Sequence, residues 1–386
     1  MLKIFKNFNI LWLLFLCLLK ILFTGRANKK SEKIEKILII QTGKLGDMVC
    51  ITPMFRVIKN QYPNCQLWVM GNKVNQELLR DYQLIDKYLV FNSVPSENLK
   101  ILKQNNFSFA TSVFPDFNAL ATMILADIKN IAVPQVIDGF CPQNTQTYRL
   151  LSKFVLTKPN SIKEYAPGFY LKLLETIDIF TNNTEKFLTY SQSAEEKINT
   201  FFQENNLIVQ KDFIVCLAPS VGNKMKLWPA ERFAKIADYI YEHHETKIIL
   251  IGHGNDKENI DAMIKKMNPA TKFINTYNLF NLDELKALIA KMNLFISVDT
   301  GTIYIAEAFK VPTIDIVGAL DENCQPPNGP LNKIVKAPRE KPATYILNVR
   351  VVNMTEALRQ VQDITVEMVI NKFEELVDLL PIKPKL

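Results

Sequence analysis

Short apolar runs rich in β-branched residues alternate along this chain with longer stretches in which apolar residues recur every three or four positions. Runs of the first kind lead into turns that contain glycine, as in KILIIQ (36–41), FIVCLAPS (213–220), KIILI (247–251) and LFISVDT (294–300). Stretches of the second kind have the spacing of amphipathic helices, as in MVCITPMFRVIKNQY (48–62), AERFAKIADYIYEHH (230–244) and LDELKALIAKM (282–292). The repeated order of strand, turn and helix predicts an α/β fold with parallel sheets.

Two such series are visible, one beginning at Ile37 and the other at Phe213. They predict two Rossmann-like domains that face each other across a cleft. Because ligands bind at the carboxyl ends of parallel strands, the turns after the strands are expected to line the site. The predicted divisions are a membrane-anchoring helix and linker (1–30), the first domain (31–208), the second domain (209–364), and a C-terminal helix with a basic tail (365–386).

The first predicted segment contains the apolar run FNILWLLFLCLLKILF at 8–23, with basic residues on both sides. At about 1.5 Å per residue this helix would span roughly 24 Å, less than the approximately 30 Å hydrocarbon core of a bilayer. We therefore expect an interfacial or re-entrant anchor on an anionic cytoplasmic leaflet. A spanning signal anchor and a helix packed on the protein itself are the alternatives.

Composition narrows the class of protein. Hydrophobic residues make up 48% of the sequence and charged residues 22%, which is ordinary for a globular chain. The net charge of +7 is spread along the chain rather than gathered in basic blocks, so no nucleic-acid partner is expected. The cysteines are isolated and all three histidines fall between residues 243 and 253, which indicates neither a metal site nor a disulfide framework. No cofactor is expected.

The turn after the first strand contains Gly43, Gly46 and Asp47. It lacks both the phosphate-binding loop pattern and the dinucleotide fingerprint, so nicotinamide chemistry is not expected. Asp47 is either a carboxylate brought to the strand ends for chemistry or an ordinary cap of the following helix.

Two turns of the second domain carry polar groups suited to a nucleotide. The loop from Ala218 to Pro229 contains Ser220, Lys224 and Lys226, and its lysines could hold a diphosphate and offset the charge of a leaving phosphate. Glu258, shortly after the next strand, could accept hydrogen bonds from a ribose. A solvated lysine pair and a helix-start charge are the respective alternatives.

A further turn reads Ser297-Val298-Asp299-Thr300-Gly301-Thr302 and opens a helix. Free N–H groups and the positive end of the helix dipole favour an anion there, so Thr300, Gly301 and Thr302 could donate to phosphate oxygens. The alternative is an aspartate cap with no ligand. No D-x-D triplet follows a strand, so a metal-bridged diphosphate is not indicated.

Taken in order, these segments resemble glycosyltransferase family 9, the family of the ADP-heptose:lipopolysaccharide heptosyltransferases, which has the GT-B fold. The resemblance covers most of residues 36–330. Its strongest parts are Gly43-x-x-Gly46-Asp47 with Thr52-Pro53, Lys226-x-Trp228-Pro229-x-x-Arg232-Phe233, and Asp299-Thr300-Gly301 leading to Ala306, with Val311-Pro312-Thr313 and Gly318 after it.

The resemblance implies an inverting, metal-independent transfer in which Asp47 is the general base. It implies that Lys226 stabilises the leaving phosphate, that Glu258 holds the ribose, and that Asp299 with its following turn binds the donor. The first domain would receive a lipid-linked saccharide acceptor at the cytoplasmic face of the inner membrane, and the second would bind the nucleotide sugar.

The chain departs from the family at two positions of the last turn. Tyr304 stands where the family usually has histidine, and Thr302 where it has a small residue or proline. A tyrosine can donate one hydrogen bond but carries no charge near neutral pH. ADP-heptose, a hexose nucleotide and an N-acetylhexosamine nucleotide all remain open as donors. A catalytically silent membrane-docked binding protein and a sugar-nucleotide epimerase of the same fold are the alternative functions.

Overall fold

The computed structural model describes residues 2–27, 33–92, 94–220, 222–345 and 353–380, with side chains from residue 10 onward in the first helix. The described chain divides into two compact units. Unit 1 comprises the described residues of 1–76 and 82–185, and unit 2 those of 77–81, 186–346 and 351–386.

Unit 1 is built on a six-stranded parallel sheet in the order β3-β2-β1-β4-β5-β6. This is the doubly wound order, in which the chain starts at the centre and builds outwards in both directions. Its strands are β1 (Lys36–Gln41), β2 (Gln66–Gly71), β3 (Lys87–Val90), β4 (Phe109–Ser112), β5 (Ile131–Val136) and β6 (Leu156–Asn160). Its helices are α1 (Leu2–Thr24), α2 (Leu45–Val49), α3 (Thr52–Gln61), α4 (Lys73–Leu78), α5 (Pro95–Lys103), α6 (Phe117–Leu125), α7 (Gln146–Ser152) and α8 (Ala166–Leu173).

Burial on both faces explains the continuous apolar run of β1. Residues Ile37 to Ile40 are at most 1% exposed, and they pair in parallel register with β2 on one side and β4 on the other. A central strand covered by helices on both faces favours β-branched residues at every position rather than alternation. This is the pattern from which the strand was predicted.

Helix α1 has one apolar face that packs on the protein and another that is exposed. One face packs on α6 and α7 of unit 1: Cys17 is fully buried against the Ala121 carbonyl, and Lys20 pairs with Asp127 at 2.7 Å. The opposite face is exposed, with Leu22 and Phe23 exposed by 77% and 79%. The other exposed apolar residues of that face are Leu11, Trp12, Phe15 and Leu19. Within the described residues, no helix has both the length and the hydropathy needed to cross a bilayer.

Unit 2 repeats the architecture with a second six-stranded parallel sheet, ordered β12-β11-β10-β7-β8-β9. Its strands are β7 (Phe213–Ala218), β8 (Thr246–Leu250), β9 (Ile274–Asn275), β10 (Leu294–Val298), β11 (Thr313–Ile316) and β12 (Asn332–Val335). Its helices are α9 (Gln192–Glu204), α10 (Ala230–His243), α11 (Lys257–Lys266), α12 (Leu282–Ile289), α13 (Gly301–Ala308), α14 (Met354–Gln362) and α15 (Val366–Val377). The predicted pair of Rossmann-like α/β folds is thereby confirmed.

The contacts divide the chain earlier than the predicted boundary at 208/209, since the long segment of unit 2 begins at Lys186. Helix α9 lies in unit 2, where its buried Phe201 meets Phe280 edge-to-face at 5.1 Å. Helix α15, predicted as a separate C-terminal element, buries Phe373 in the core of unit 2 against α10. The predicted basic tail at 381–386 lies outside the described residues.

Candidate functional site

The turn after β1 holds Asp47 in place through its backbone. The Asp47 carboxylate accepts from the Lys44 N–H at 2.7 Å, and the Gln41 side chain accepts from the Gly43 N–H at 2.8 Å. A Cβ on Gly43 would lie 2.6 Å from Asp47 Oδ2, so only glycine allows this close approach. Asp47 is therefore a half-exposed carboxylate that caps α2. This capping bond is compatible with a chemical role for the carboxylate.

Amide side chains that follow the neighbouring strand β2 fix the same turn: Asn72 lies directly after the strand and Asn75 lies in α4. Asn72 and Asn75 both donate to the Gly43 carbonyl, at 2.7 and 3.0 Å. Asn75 is fully buried. Because β1 and β2 are adjacent, the turns at their carboxyl ends support one another, and the position of Asp47 is set by the sheet.

In unit 2 the predicted donor residues follow three adjacent strands. Ser220 comes after β7, Glu258 after β8, and Asp299 after β10. These strands lie side by side in the order β10-β7-β8, and the chain winds in opposite directions from β7 and β10. In doubly wound folds, ligands bind outside the carboxyl ends of the strands at the point where the winding reverses, which here lies between β7 and β10.

A charged group joins two of these turns. Lys226, at the end of a short 3₁₀ helix (Lys224–Lys226), forms an ion pair with Asp299 Oδ2. The Tyr304 hydroxyl donates to the other oxygen, Asp299 Oδ1, at 2.6 Å. The Asp299 side chain is 3% exposed, whereas that of Lys226 is 25% exposed, so the lysine side chain is partly in contact with solvent.

The motif that follows Lys226 anchors its loop. Trp228 is fully buried and donates from Nε1 to the Ile364 carbonyl at 2.9 Å. Arg232 donates to the same carbonyl at 2.6 Å. These bonds tie the loop to the connection between α14 and α15. The Lys-x-Trp-Pro-x-x-Arg-Phe pattern thus combines one side chain for the site with two for its support.

The first turn of α13 offers donors to an anion. Thr300 is the N-cap of α13 in extended conformation and forms no side-chain capping bond. The Thr302 hydroxyl is buried without a hydrogen-bond partner in the described part of the chain. The first N–H groups of a helix have no partner within the helix, so this turn is compatible with an anion, and the donor-binding role of Thr300, Gly301 and Thr302 stays a prediction.

The remaining predicted residues are less constrained. Glu258 is exposed in the first turn of α11, and Ser220 is 7% exposed with its hydroxyl 3.3 Å from the Asp256 carbonyl. The Lys224 backbone belongs to the 3₁₀ helix, while its side chain lies outside the described atoms. Across the described ranges, no three histidine, cysteine or acidic residues group as metal ligands.

Sequence reasoning missed three charged residues beside this site. Asp315 on β11 is fully buried. Lys186 and Glu307 form a buried ion pair at 2.7 Å, and the Lys186 ammonium lies 5.9 Å from the centre of the Tyr304 ring. The available signal was the acid inside the apolar run TIDIV, where a strand of a parallel sheet is normally apolar.

Comparisons with known proteins show which family and fold this chain resembles. The profile of glycosyltransferase family 9 (heptosyltransferase) matches residues 158–347. Lipopolysaccharide heptosyltransferase 3 of Escherichia coli K12 is 27% identical over 296 residues, which is 72% of this chain and 80% of that protein.

Two solved structures share the fold. The family 9 glycosyltransferase of Veillonella parvula superposes with a TM-score of 0.75 at 18% identity, covering 90% of this chain and 99% of that one. An E. coli heptosyltransferase solved with ADP-2-deoxy-2-fluoro heptose gives 0.63 at 15% identity, covering 88% and 99%.

Proposed function

Since this chain belongs to glycosyltransferase family 9, we propose that it transfers a sugar from a nucleoside diphosphate sugar to a lipopolysaccharide or lipooligosaccharide core acceptor. ADP-heptose is the first candidate donor, because the relatives include heptosyltransferases and one was solved with an ADP-heptose analogue. The observation that carries the proposal is the Lys226–Asp299–Tyr304 group at the carboxyl ends of adjacent strands.

Unit 2 supplies the donor half of the proposed reaction. The diphosphate would lie at the first turn of α13, where backbone N–H groups, the helix dipole and the Thr302 hydroxyl favour negative charge. The Lys226 ammonium would offset the charge that develops on the leaving phosphate. Glu258 would accept from the ribose hydroxyls. None of these roles needs a metal ion.

Unit 1 supplies the base. Asp47 would take the proton of an acceptor hydroxyl as its oxygen attacks the anomeric carbon opposite the departing nucleotide. The C–O bond to the nucleotide diphosphate breaks as the new glycosidic bond forms, so configuration inverts. The Lys44 N–H donates to this carboxylate, and the bonds of Gly43 with the Gln41 and Asn72 side chains support the turn around it.

Thermal stabilisation by a panel of nucleotides and nucleotide sugars, with and without EDTA, tests the donor half. A ligand that binds only the folded protein must raise its stability, so we expect one nucleoside diphosphate to raise the Tm and the rise to persist in EDTA. Transfer to a lipid-linked core saccharide, followed by the anomeric configuration of the product, then tests the reaction. No stabilisation by any nucleotide would favour a silent binding protein, and donor turnover without acceptor would favour an epimerase.

We propose further that α1 docks unit 1 on the cytoplasmic face of the inner membrane. Its exposed face carries six apolar side chains at helical spacing, including Trp12 and Phe15, while its other face is held by the protein. A helix of this kind lies in the interface, and the basic residues that flank it favour anionic lipid.

Vesicle sedimentation tests this docking. Serine at Trp12, Phe15, Leu22 and Phe23 together is expected to release the protein from anionic vesicles and leave the Tm close to that of the wild type. Phe180→Ser is the matched control, because Phe180 is an exposed apolar residue of unit 1 outside α1. Substitution is better than removing 1–27, since removal would uncover the core beneath Cys17. A quadruple variant that still sediments would reject the docking face.

A further inference from the structure

Asp315 is a fully buried acid on β11, and neither of its carboxyl oxygens has a hydrogen-bond partner in the described parts of the chain. Its neighbours Ile314 and Ile316 belong to the core formed with α10 and α15. Asp315 therefore projects from the other face of the sheet, against which α13 packs. Burying a polar group without a partner costs free energy, so the residue needs an explanation.

Charged groups from several elements surround Asp315. Burial raises the pKa of Asp315 well above its ordinary value, the charges of Asp299 and Glu307 raise it further, and Lys226 opposes the rise. Glu307 is paired with the buried Lys186. The two lysines balance the carboxylates of Asp299 and Glu307, so this cluster is neutral as long as Asp315 keeps its proton.

A diphosphate at the first turn of α13 would compete with Asp299 for the Lys226 ammonium, because phosphate oxygens form strong charge-assisted hydrogen bonds. Once Lys226 turns to the phosphate, Asp299 Oδ2 loses its ion pair while Tyr304 still holds Oδ1. A buried carboxylate oxygen that loses its partner is costly. Something in the protein must take the place of the ammonium.

We propose that Asp315 is a positioning residue that donates its carboxyl O–H to Asp299 when a diphosphate draws Lys226 away. Ser297 pairs with Asp315 in the parallel register, and Asp299 lies two residues further on, which brings both acids to the same face of the sheet. The proton stays on Asp315, and no covalent bond changes. Pairs of neighbouring carboxyl groups that share one proton occur in other proteins. The inference rests on the proposed nucleotide binding and adds a residue that acts through Asp299.

The pH dependence of nucleotide affinity tests it. Because only protonated Asp315 can donate, nucleotide binding raises the pKa of Asp315 further. Nucleotide affinity is therefore full below the pKa that Asp315 has in the free protein, and it falls as pH rises through that value. The Kd of the nucleoside diphosphate that stabilises the protein most would be measured by calorimetry at a series of pH values, upwards from about pH 5.5 as far as the protein stays folded. The proteins compared are the wild type, Asp315→Asn, Asp315→Leu and the control Asp363→Asn, which changes an exposed carboxylate of unit 2.

Asp315→Asn keeps a hydrogen-bond donor that does not ionise. Its nucleotide affinity is therefore expected to fall less at high pH than that of the wild type. Asp315→Leu cannot donate and is expected to bind about tenfold more weakly below the decline, the usual effect of losing one hydrogen bond to a charged group. Any weakening from deprotonation of Lys226 is common to all four proteins and cancels in the comparison.

An unchanged alkaline decline in Asp315→Asn would overturn the inference, as would Asp315→Leu binding as tightly as Asp315→Asn. If Asp315→Leu does not fold, as judged by its melting curve, the Asp315→Asn profile decides alone. If no nucleoside diphosphate binds the wild type, the proposed function fails and this inference fails with it. Binding with an unaltered profile in Asp315→Asn defeats this inference only.

Discussion

Two aspartates follow central strands in the two units, and the protein treats them differently. Asp47 after β1 is half-exposed and accepts from a backbone N–H. Asp299 after β10 is buried and accepts from the side chains of Lys226 and Tyr304. A carboxylate that accepts from backbone and is partly exposed is suited to exchange a proton, whereas one enclosed by a lysine and a tyrosine is suited to hold those groups in place. Position after a strand does not by itself distinguish these roles.

The largest effect is expected at Asp47. Asp47→Ala should lower turnover by about 10²–10⁴, the range for loss of a general base, while nucleotide binding survives. Asp47→Asn separates the two roles of this residue, since an amide oxygen can still accept from the Lys44 N–H but cannot take a proton. Steady-state rates and nucleotide Kd of both variants give the answer. If Asp47→Asn kept wild-type turnover, Asp47 would be a structural cap and the contrast with Asp299 would disappear.

A smaller effect is expected at the lysine held by Asp299. Lys226→Ala should lower turnover by about 10²–10³, as for loss of one donor that stabilises developing negative charge. Nucleotide affinity should fall as well, because the ammonium would contact the diphosphate before and during the reaction. Single-turnover rates with saturating donor separate the two effects. Lys372→Ala is the control, since it breaks an ion pair with Glu375 on α15. Equal rates in the two variants would remove Lys226 from the mechanism.

The fold was readable from the sequence because β1, β2, β7, β8, β10 and β11 are apolar runs that end at or lead into turns with glycine. Gly43 shows how local this information is, since the close approach of Asp47 requires glycine at that position. The predicted family is likewise confirmed. The roles of the predicted site residues stay predictions, although the structure brings Lys226, Asp299 and Tyr304 together.

Other features depend on what packs against a residue, which the sequence does not display. Asp315 alternates with isoleucines in TIDIV, and only the packing of α13 on that face makes it a buried acid. From residue 10 to residue 23, helix α1 is apolar except at Lys20, so its division into a packed face and an exposed face depends on α6 and α7. The boundary near Lys186 was missed because α9 packs on α12, far along the chain.

The smallest effect is expected at Tyr304, which acts on the donor through Asp299. Tyr304→Phe removes a 2.6 Å hydrogen bond to a carboxylate. Such bonds contribute about 1.5–3 kcal/mol, so we expect the donor KM to rise by about tenfold or more while kcat changes less. Initial rates over a range of donor concentrations measure the changes in KM and kcat separately. Tyr148→Phe is the matched control, because it removes a buried 2.6 Å bond to the Pro134 carbonyl in unit 1.

A purely structural role for Tyr304 predicts that both phenylalanine variants lose stability and neither changes KM. Tyr304→His sharpens the distinction, since an imidazole has a pKa of about 6.5 and can become charged beside Asp299. Asp299 should raise that pKa, so the cation would be present at low pH and lost as pH rises through the folded value. We expect the donor KM of Tyr304→His to increase over that interval, because the added positive charge near the diphosphate disappears. A KM that does not respond there would place residue 304 outside the electrostatics of the donor site and leave Asp299 to hold Lys226 without it.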